Sequence, residues 1–191
     1  MSLILRKCQK NGLSSNNFYY GKVGDIVTAP DWNPIPECGN GLHGLLEGNG
    51  EWLLLYGDDW LVIEAKIEDI VEIDKSKCKF RTGKILFRGS KEELANSEYH
   101  IKFNLNEKSS FEWALTIGNR DVMINRIVSS QWAYWWTLYI GDKDIMINKI
   151  TDSLYAYWWA LYIGDRDIMK PKVTNLLHIN LWNGSFPINP I

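Results

Sequence analysis

A segment of 23 residues recurs in the second half of the chain, and it constrains the fold more than any other feature. Three copies read FEWALTIGNRDVMINRI, YWWTLYIGDKDIMINKI and YWWALYIGDRDIMKPKV. Tryptophan recurs at this spacing, as Trp113, Trp136 and Trp159, and so do a glycine and an aspartate. A period of roughly 20–50 residues is typical of repeat architectures, in which each unit buries its apolar face against the next one.

Each copy predicts two helices. A polar residue such as Ser129 or Asp152 precedes about ten mostly apolar residues, and a glycine such as Gly141 follows them. Polar residues begin helices, and glycines in left-handed conformation end them. A shorter helical turn completes the unit. We therefore predict about three two-helix repeats over residues 109–173, followed by an extended C-terminal tail over residues 174–191.

Residues 1–92 have a different pattern, which predicts a β-rich domain. Short apolar or alternating runs are separated by clusters of Gly, Asn, Asp and Pro. The predicted strands are residues 3–8, 25–29, 60–67, 71–74, 77–82 and 84–89. Residues 93–108 are predicted as a helical connector, because GSKEEL and SSFEWAL match capping boxes that begin at Ser90 and Ser109. The fold class is α+β.

The segment TAPDWNPIPECGNGLHG contains three prolines and three glycines and predicts a long loop. Cys38, Gly39, Gly41 and His43 are candidate ligand-binding residues, because glycines let a ligand approach the backbone and a histidine exchanges protons. His43 is also the candidate catalytic residue if the protein is an enzyme. Two other interpretations remain open. His43 holds a tight turn, or it binds a metal together with cysteines and the other histidines, although paired ligand spacing is absent and we expect no metal.

Lys75, Lys77, Lys79 and Arg81 alternate with other residues in DKSKCKFR, so a strand places all four on one face. Four cations in a row suit a phosphate-rich ligand or a nucleic-acid backbone, and we include them among the candidate ligand-binding residues. The alternative is a solvated edge strand that lysines protect from aggregation.

The tryptophan doublets Trp135–Trp136 and Trp158–Trp159 fit either of two roles. Their recurrence favours a place in the core of each repeat. An exposed member of each pair would instead indicate a surface that binds a partner.

Bulk properties exclude several classes of protein. The net charge is −2, and neither half is basic, so binding to bulk nucleic acid is not expected. No apolar run reaches the roughly 18 residues of a membrane span, and the N-terminus does not resemble a signal peptide. Three widely spaced cysteines favour reduced thiols. We expect a soluble cytoplasmic protein without membrane contact, and no phosphate-binding loop, hydrolase or metalloprotease motif is present.

The first half resembles a family of uncharacterised proteins from phages and bacterial mobile elements. The resemblance depends on FYYG, APDWNPIPECGNGLHG, WLVIEA, DIVEID, KCKFR and ILFRG, in that order. The motif that members of this family share is Cys-Gly-x-Gly-(Leu/Phe)-His, followed by a strand. Members often continue into repeats similar to YAYWWALYIGDRDI. The resemblance implies a domain of unknown function.

A more distant likeness is to ADP-ribosyltransferase-like folds. In these folds a glycine-rich segment that ends in an aromatic residue or His, followed by a V-I-E strand, lies against the nicotinamide end of NAD. The likeness implies that His43 faces the nicotinamide ring and that Tyr19 or Tyr20 stacks on it. Glu92 or Glu93 would be the catalytic acid.

These observations favour a non-catalytic binding protein, of phage origin, that captures a protein partner or a small anionic, nucleotide-like ligand. The first alternative is a nucleotide-using transferase with His43 in its site. The second is a purely structural protein that assembles, as a homo-oligomer, through its repeats. We expect no cofactor.

Overall fold

The structure, a computed structural model, describes residues 1–14 and 16–185. It divides into two compact units, Met1–Met123 and Ile124–Ile191. The predicted α+β class is confirmed, with a β-rich N-terminal region followed by helices. The division between the units falls inside the predicted repeat region, because the helices of the first copy belong to the first unit.

Seven strands form one antiparallel sheet with the order β2-β7-β4-β1-β3-β6-β5. The strands are β1 (Ser2–Cys8), β2 (Ile26–Thr28), β3 (Leu42–Leu46), β4 (Asp59–Ala65), β5 (Ile70–Asp74), β6 (Lys77–Phe80) and β7 (Thr82–Gly89). Their buried side chains form the core of the first unit, with Ile4, Leu61 and Phe80 fully buried. Burial of such a side chain contributes about 1.5–3 kcal/mol.

The predicted loop is too long at its C-terminal end. In the structure the loop ends at Gly41, and β3 begins at the next residue. His43 therefore lies on a strand and not in a glycine-rich loop. Gly44 permits this arrangement, because a Cβ there would lie 2.3 Å from Cγ2 of Ile4 and 2.9 Å from the carbonyl oxygen of Leu5. Gly44 thus serves the close approach of β3 to β1 and does not supply a special backbone conformation.

The described helices are α1 (Lys91–Ala95), α2 (Tyr99–Lys102), α3 (Glu107–Thr116), α4 (Arg120–Met123), α5 (Ser130–Tyr139), α6 (Lys143–Met146), α7 (Ser153–Tyr162), α8 (Arg166–Met169) and α9 (Leu176–Ser185). The capping box of Ser90 and Glu93 is confirmed at α1. The second predicted box is wrong. Asn106 caps α3 by accepting from the backbone N–H of Ser109, and the Ser109 side chain is buried.

The long helices α3, α5, α7 and α9 each begin 23 residues after the preceding one. The fourth helix corrects the prediction of an extended tail: Leu176–Ser185 is helical, and residues 186–191 lie outside the described part of the chain. Trp182 continues the series of Trp113, Trp136 and Trp159, and all four are buried.

One hydrogen bond recurs at the end of three of these helices. The indole N–H of a buried tryptophan donates to the side chain six residues later, at 2.9–3.0 Å, in the pairs Trp113–Asn119, Trp136–Asp142 and Trp159–Asp165. Each acceptor follows a glycine, and both residues have positive φ, as at Gly141 (113°) and Asp142 (56°). Asn and Asp tolerate this left-handed conformation better than other side chains.

A pair of hydrogen bonds to a serine hydroxyl recurs in the second unit. Ser130 Oγ accepts from the backbone N–H groups of Thr151 and Asp152, at 2.8 and 3.0 Å. Ser153 Oγ makes the corresponding bonds to Thr174 and Asn175, both at 3.1 Å. Each serine therefore links the first turn of its helix to the segment that precedes the next long helix.

The tryptophan doublets divide between core and surface. Trp136 and Trp159 have no exposed area, whereas Trp135 and Trp158 are half-buried. Trp135 stacks on Tyr139 with ring centroids 5.8 Å apart. The prediction that the doublets belong to the core is thus confirmed for the second tryptophan of each pair.

Candidate functional site

Three neighbouring strands bring the candidate residues together. β3 pairs with β6, so that His43 lies opposite Lys79, and β1 lies on the other side of β3. Two adjoining cavities share Arg6, His43, Leu54 and Lys77 in their linings. We call these cavities together the His43 cleft. The larger one has a volume of about 590 Å³.

His43 is half-buried, and its Nε2 atom is buried with no hydrogen-bond partner among the described residues. Burial lowers the pKa of its imidazole to about 4, and the positive charges of Lys77, Arg6 and Lys79 act in the same direction. The ring is therefore neutral at pH 7. A buried polar atom without a partner is unfavourable, and a bound molecule or water would relieve it.

Arg6 lines both cavities of the His43 cleft and is a candidate residue that the sequence did not lead us to select. Its guanidinium donates to the carbonyl oxygen of His43 and lies over the buried Tyr20 ring, 4.5 Å from the centroid. A signal was present, since the alternation of β1 places Arg6 on the same face as Ile4 and Cys8, which are core residues. A cation at a core-facing position indicates a specific role.

The predicted row of cations is divided. Lys77 lines the His43 cleft. Lys79 is only 2% exposed, and its ammonium donates to the carbonyl oxygens of Glu37 at 3.0 Å and Gly39 at 3.5 Å. Lys79 therefore holds the preceding loop, and it does not line the His43 cleft.

The remaining two members of the row lie elsewhere. Lys75 belongs to the turn between β5 and β6 and does not line the His43 cleft; it lines another cavity, together with Lys77, Glu72 and Asp74. Arg81 is exposed between β6 and β7 and does not line the His43 cleft. The single cationic face that alternation predicts is not formed.

The loop before β3 is fixed by several contacts. The Asp31 carboxylate accepts from the backbone N–H of Gly41 at 3.0 Å, and the Trp32 ring covers Gly41. Gly39 and Gly41 have φ values of 97° and 127°, which side chains other than glycine rarely adopt. Cys38 is exposed, and its Sγ accepts from the Lys77 ammonium.

The residues that the transferase likeness implied are not assembled around His43. Tyr20 lines the larger cavity, but Tyr19 lies against Arg88, whose guanidinium carbon is 5.7 Å from its ring centroid. Glu93 is engaged in the cap of α1, and neither Glu92 nor Glu93 lines the His43 cleft.

In the part of the chain that the structure describes, no three His, Cys, Asp or Glu side chains are close enough together to bind a metal ion. The helices within residues 1–14 and 16–185 are all too short or too polar for a bilayer crossing.

Comparison with known proteins gives one similarity, to a family model over residues 3–97. No curated protein and no solved structure matches the chain. Residues 3–97, which include all seven strands and the His43 cleft, match the family model described as Domain of unknown function (DUF7666). The N-terminal part of this chain is therefore similar to an uncharacterised domain of unknown function.

Proposed function

We propose that the N-terminal domain is a non-catalytic binding module for a small anionic, nucleotide-like ligand, which it holds in the His43 cleft. The observation that carries this proposal is the buried Nε2 atom of His43, which has no partner among the described residues. The same residue lines a cavity together with Arg6 and Lys77. An anionic group of the ligand would pair with the positive charges of Arg6 and Lys77, and a polar group would give the His43 ring a hydrogen-bond partner.

The charge of the cleft supports an anion. Arg6, Lys7 and Lys77 contribute three cations to its lining. Asp31 is the one carboxylate among the described lining residues, and one of its oxygens is engaged by Gly41. Arg and Lys together favour phosphate or carboxylate groups, because charge-assisted hydrogen bonds are about twice as strong as neutral ones.

The size and apolar walls of the larger cavity support a ligand with a ring. Its volume of about 590 Å³ falls in the range of about 300–1,000 Å³ that is typical of small-molecule sites. Phe18, Tyr20 and Leu42 line the same cavity as the cations. A nucleotide combines a flat ring with phosphate and therefore suits both parts of the lining.

Binding is favoured over catalysis because the cleft contains few proton-transfer groups. A neutral His43 is able to accept a proton, but Asp31 is the one described carboxylate that would assist it. The transferase, which requires a catalytic acid, stays an alternative hypothesis. Release of nicotinamide from NAD, lost in His43→Ala, would favour it.

The test is calorimetric titration of the full chain with ADP. We expect Lys77→Gln to weaken ADP binding by about tenfold, which corresponds to about 1.4 kcal/mol. Lys84→Gln is the matched control, because Lys84 is an exposed strand lysine on β7 outside the cleft. Equal affinity of the two variants, or no ADP binding by the wild type, would contradict the proposal.

The repeats support a second function, which is self-association. Leu138 and Tyr139 are exposed on α5, and Leu161 and Tyr162 are exposed at the corresponding positions of α7. A recurrent exposed apolar stripe is typical of an interaction surface. We expect Tyr139→Ser combined with Tyr162→Ser to reduce the mass measured by sedimentation equilibrium. A wild type that is monomeric at every concentration would contradict this function.

The origin and location of the protein also stay proposals. The Cys-Gly-x-Gly-Leu-His motif supports a phage or mobile-element origin, which gene neighbourhoods would test. Three free thiols support a cytoplasmic location, because such thiols persist in a reducing compartment. Fractionation of the native host would test that location.

A further inference from the structure

Cys38 and Lys77 are 39 residues apart in the chain, and their reactive atoms are in direct contact. The Lys77 Nζ atom lies 2.5 Å from the Cys38 Sγ atom. The other described contact between a side-chain nitrogen and a thiol, from Arg6 Nε to Cys8 Sγ, is 3.4 Å long. The amine of Lys77 and the thiol of Cys38 are thus direct neighbours, with no other group between them.

The backbone around Cys38 holds the thiol in this position. The buried ammonium of Lys79 binds the carbonyl oxygens of the residues on both sides of Cys38. Lys77 and Lys79 belong to the same strand, β6, so one rigid element presents both the anchor and the amine. Groups that are held in contact react as if at a high local concentration.

Cys38 is also the accessible thiol of the three. Cys8 and Cys78 are buried, and burial raises the pKa of both thiols, that of Cys78 to about 12. Thiols in this state react slowly with oxidants, because the thiolate is the reactive form. Cys8 and Cys78 therefore serve as internal controls.

We propose that Cys38 and Lys77 form a covalent sulfur–nitrogen crosslink when the protein is oxidised by a peroxide. In the first step the Cys38 sulfur attacks a peroxide oxygen, the O–O bond breaks, and sulfenic acid and water form. In the second step the Lys77 ammonium releases one proton to solvent, and the resulting amine attacks that sulfur. The S–O bond breaks, and the hydroxyl group leaves as a second water with one amine hydrogen. One thiol, one amine and one hydrogen peroxide thus give the crosslink and two waters.

The crosslink would regulate the proposed binding site, and this consequence depends on the proposed function. Lys77 lines the His43 cleft, and its amine loses its positive charge when it is bonded to sulfur. The cleft would then lose one of its three cations and retain Arg6 and Lys7. We expect oxidation to weaken ADP binding roughly three- to tenfold, and a thiol reductant to restore it.

Peptide mass spectrometry of the full chain after treatment with hydrogen peroxide tests the crosslink. We expect a species that joins the peptides of Cys38 and Lys77, has lost two hydrogens, resists trypsin at Lys77 and disappears with dithiothreitol. Lys77→Gln should instead accumulate sulfenic acid, which dimedone traps. Lys75→Gln is the matched control, because it removes an exposed lysine two residues away and should leave the crosslink intact.

Oxidation of Cys38 to sulfenic or sulfinic acid without a bond to Lys77 would overturn the proposal, as would a crosslink to Lys75. Circular dichroism of each variant before oxidation establishes that it is folded. The mass measurement requires no ligand. A crosslinked protein that never binds ADP would therefore refute the proposed function and leave the crosslink established.

Discussion

The sheet domain and the helical repeats are both stabilised by a lysine whose ammonium binds backbone carbonyls. The lysine recurs at the repeat spacing in the helical repeats and has no such spacing in the sheet domain. In the first unit Lys79 holds the carbonyls of Glu37 and Gly39, a contact with no repeat spacing. In the second unit Lys149 binds the carbonyl of Ile124, and Lys172 makes the corresponding bond to Ile147, both at 2.9 Å. When a lysine recurs at a fixed spacing, the sequence indicates that its role is structural. A lysine that occurs without such spacing is easily taken for a ligand-binding residue.

The largest expected effect concerns the recurrent tryptophans. Trp136→Ala should lower the free energy of unfolding by about 3–5 kcal/mol, because it leaves a cavity at a fully buried site. It also removes the indole bond to Asp142. Urea denaturation measures the change. Trp135→Ala, at the adjacent half-buried position, should cost less than half as much, and equal losses would refute the division of the doublets between core and surface.

The isolated lysine should have a smaller and more local effect. Lys79→Met is expected to cost about 1.5–3 kcal/mol, because it removes hydrogen bonds from a charged donor. Hydrogen exchange should accelerate at residues 38–41 and stay unchanged in the second unit. Lys172→Met is the corresponding substitution in the repeats and should accelerate hydrogen exchange at residues 147–150. Unchanged exchange at residues 38–41 in Lys79→Met would show that Lys79 does not hold the loop.

The pH dependence of stability reports on His43. Its pKa is about 4 in the folded chain and 6.5 when unperturbed, so the unfolded state binds more protons between these values. Stability should be complete above pH 6.5 and decrease as the pH falls toward 4. The expected loss is about 1–2 kcal/mol, less than the full shift would give, because the half-buried ring is partly solvated.

His43→Gln should remove this pH-dependent part of stability, as measured by urea denaturation at pH 7 and pH 4.5. His178→Gln is the control, because His178 lies in the second unit, on α9. A His43→Gln variant with the pH dependence of the wild type would show that this imidazole does not titrate below its usual range.

The smallest effect is expected at the left-handed position after a repeat glycine. Asp165→Asn should cost less than about 1 kcal/mol, because Asn also accepts the indole bond and the ion pair with Lys143 is partly exposed. The first copy already has Asn119 at this position, with a φ of 57°. Asp165→Ala should cost more, since it loses the acceptor. Urea denaturation of both variants measures the loss in the free energy of unfolding. Equal losses in the two variants would contradict this role of the side chain.

The sequence allows much of the architecture to be predicted, because its signals are local or repeated. Alternation identifies six of the seven strands, and the 23-residue spacing identifies the repeat helices. The fourth helix was missed because Asn and Gly residues around Trp182 weaken the helical signal. The strand β3 was missed because Gly44 resembles a loop glycine, and only its contact with Ile4 explains it.

The candidate site was predicted in part, since it depends on contacts between distant segments. His43 and Lys77 were both predicted to bind a ligand, and they line the same cleft. Lys79, predicted as a ligand-binding residue, is buried beneath a loop, whereas Arg6, which was not among the predicted residues, lines the cleft. Sheet order determines this outcome, and alternation within a strand does not specify which strand lies next to it.

The most direct test of the His43 cleft is a titration of histidine-labelled protein with ADP, followed by ¹⁵N NMR of the imidazole rings. The chain has three histidines, so His43→Gln assigns the signal unambiguously. We predict that ADP shifts the ring nitrogens of His43 and leaves those of His100 and His178 in place. Saturation with ADP that leaves the His43 signals unmoved would contradict the central claim.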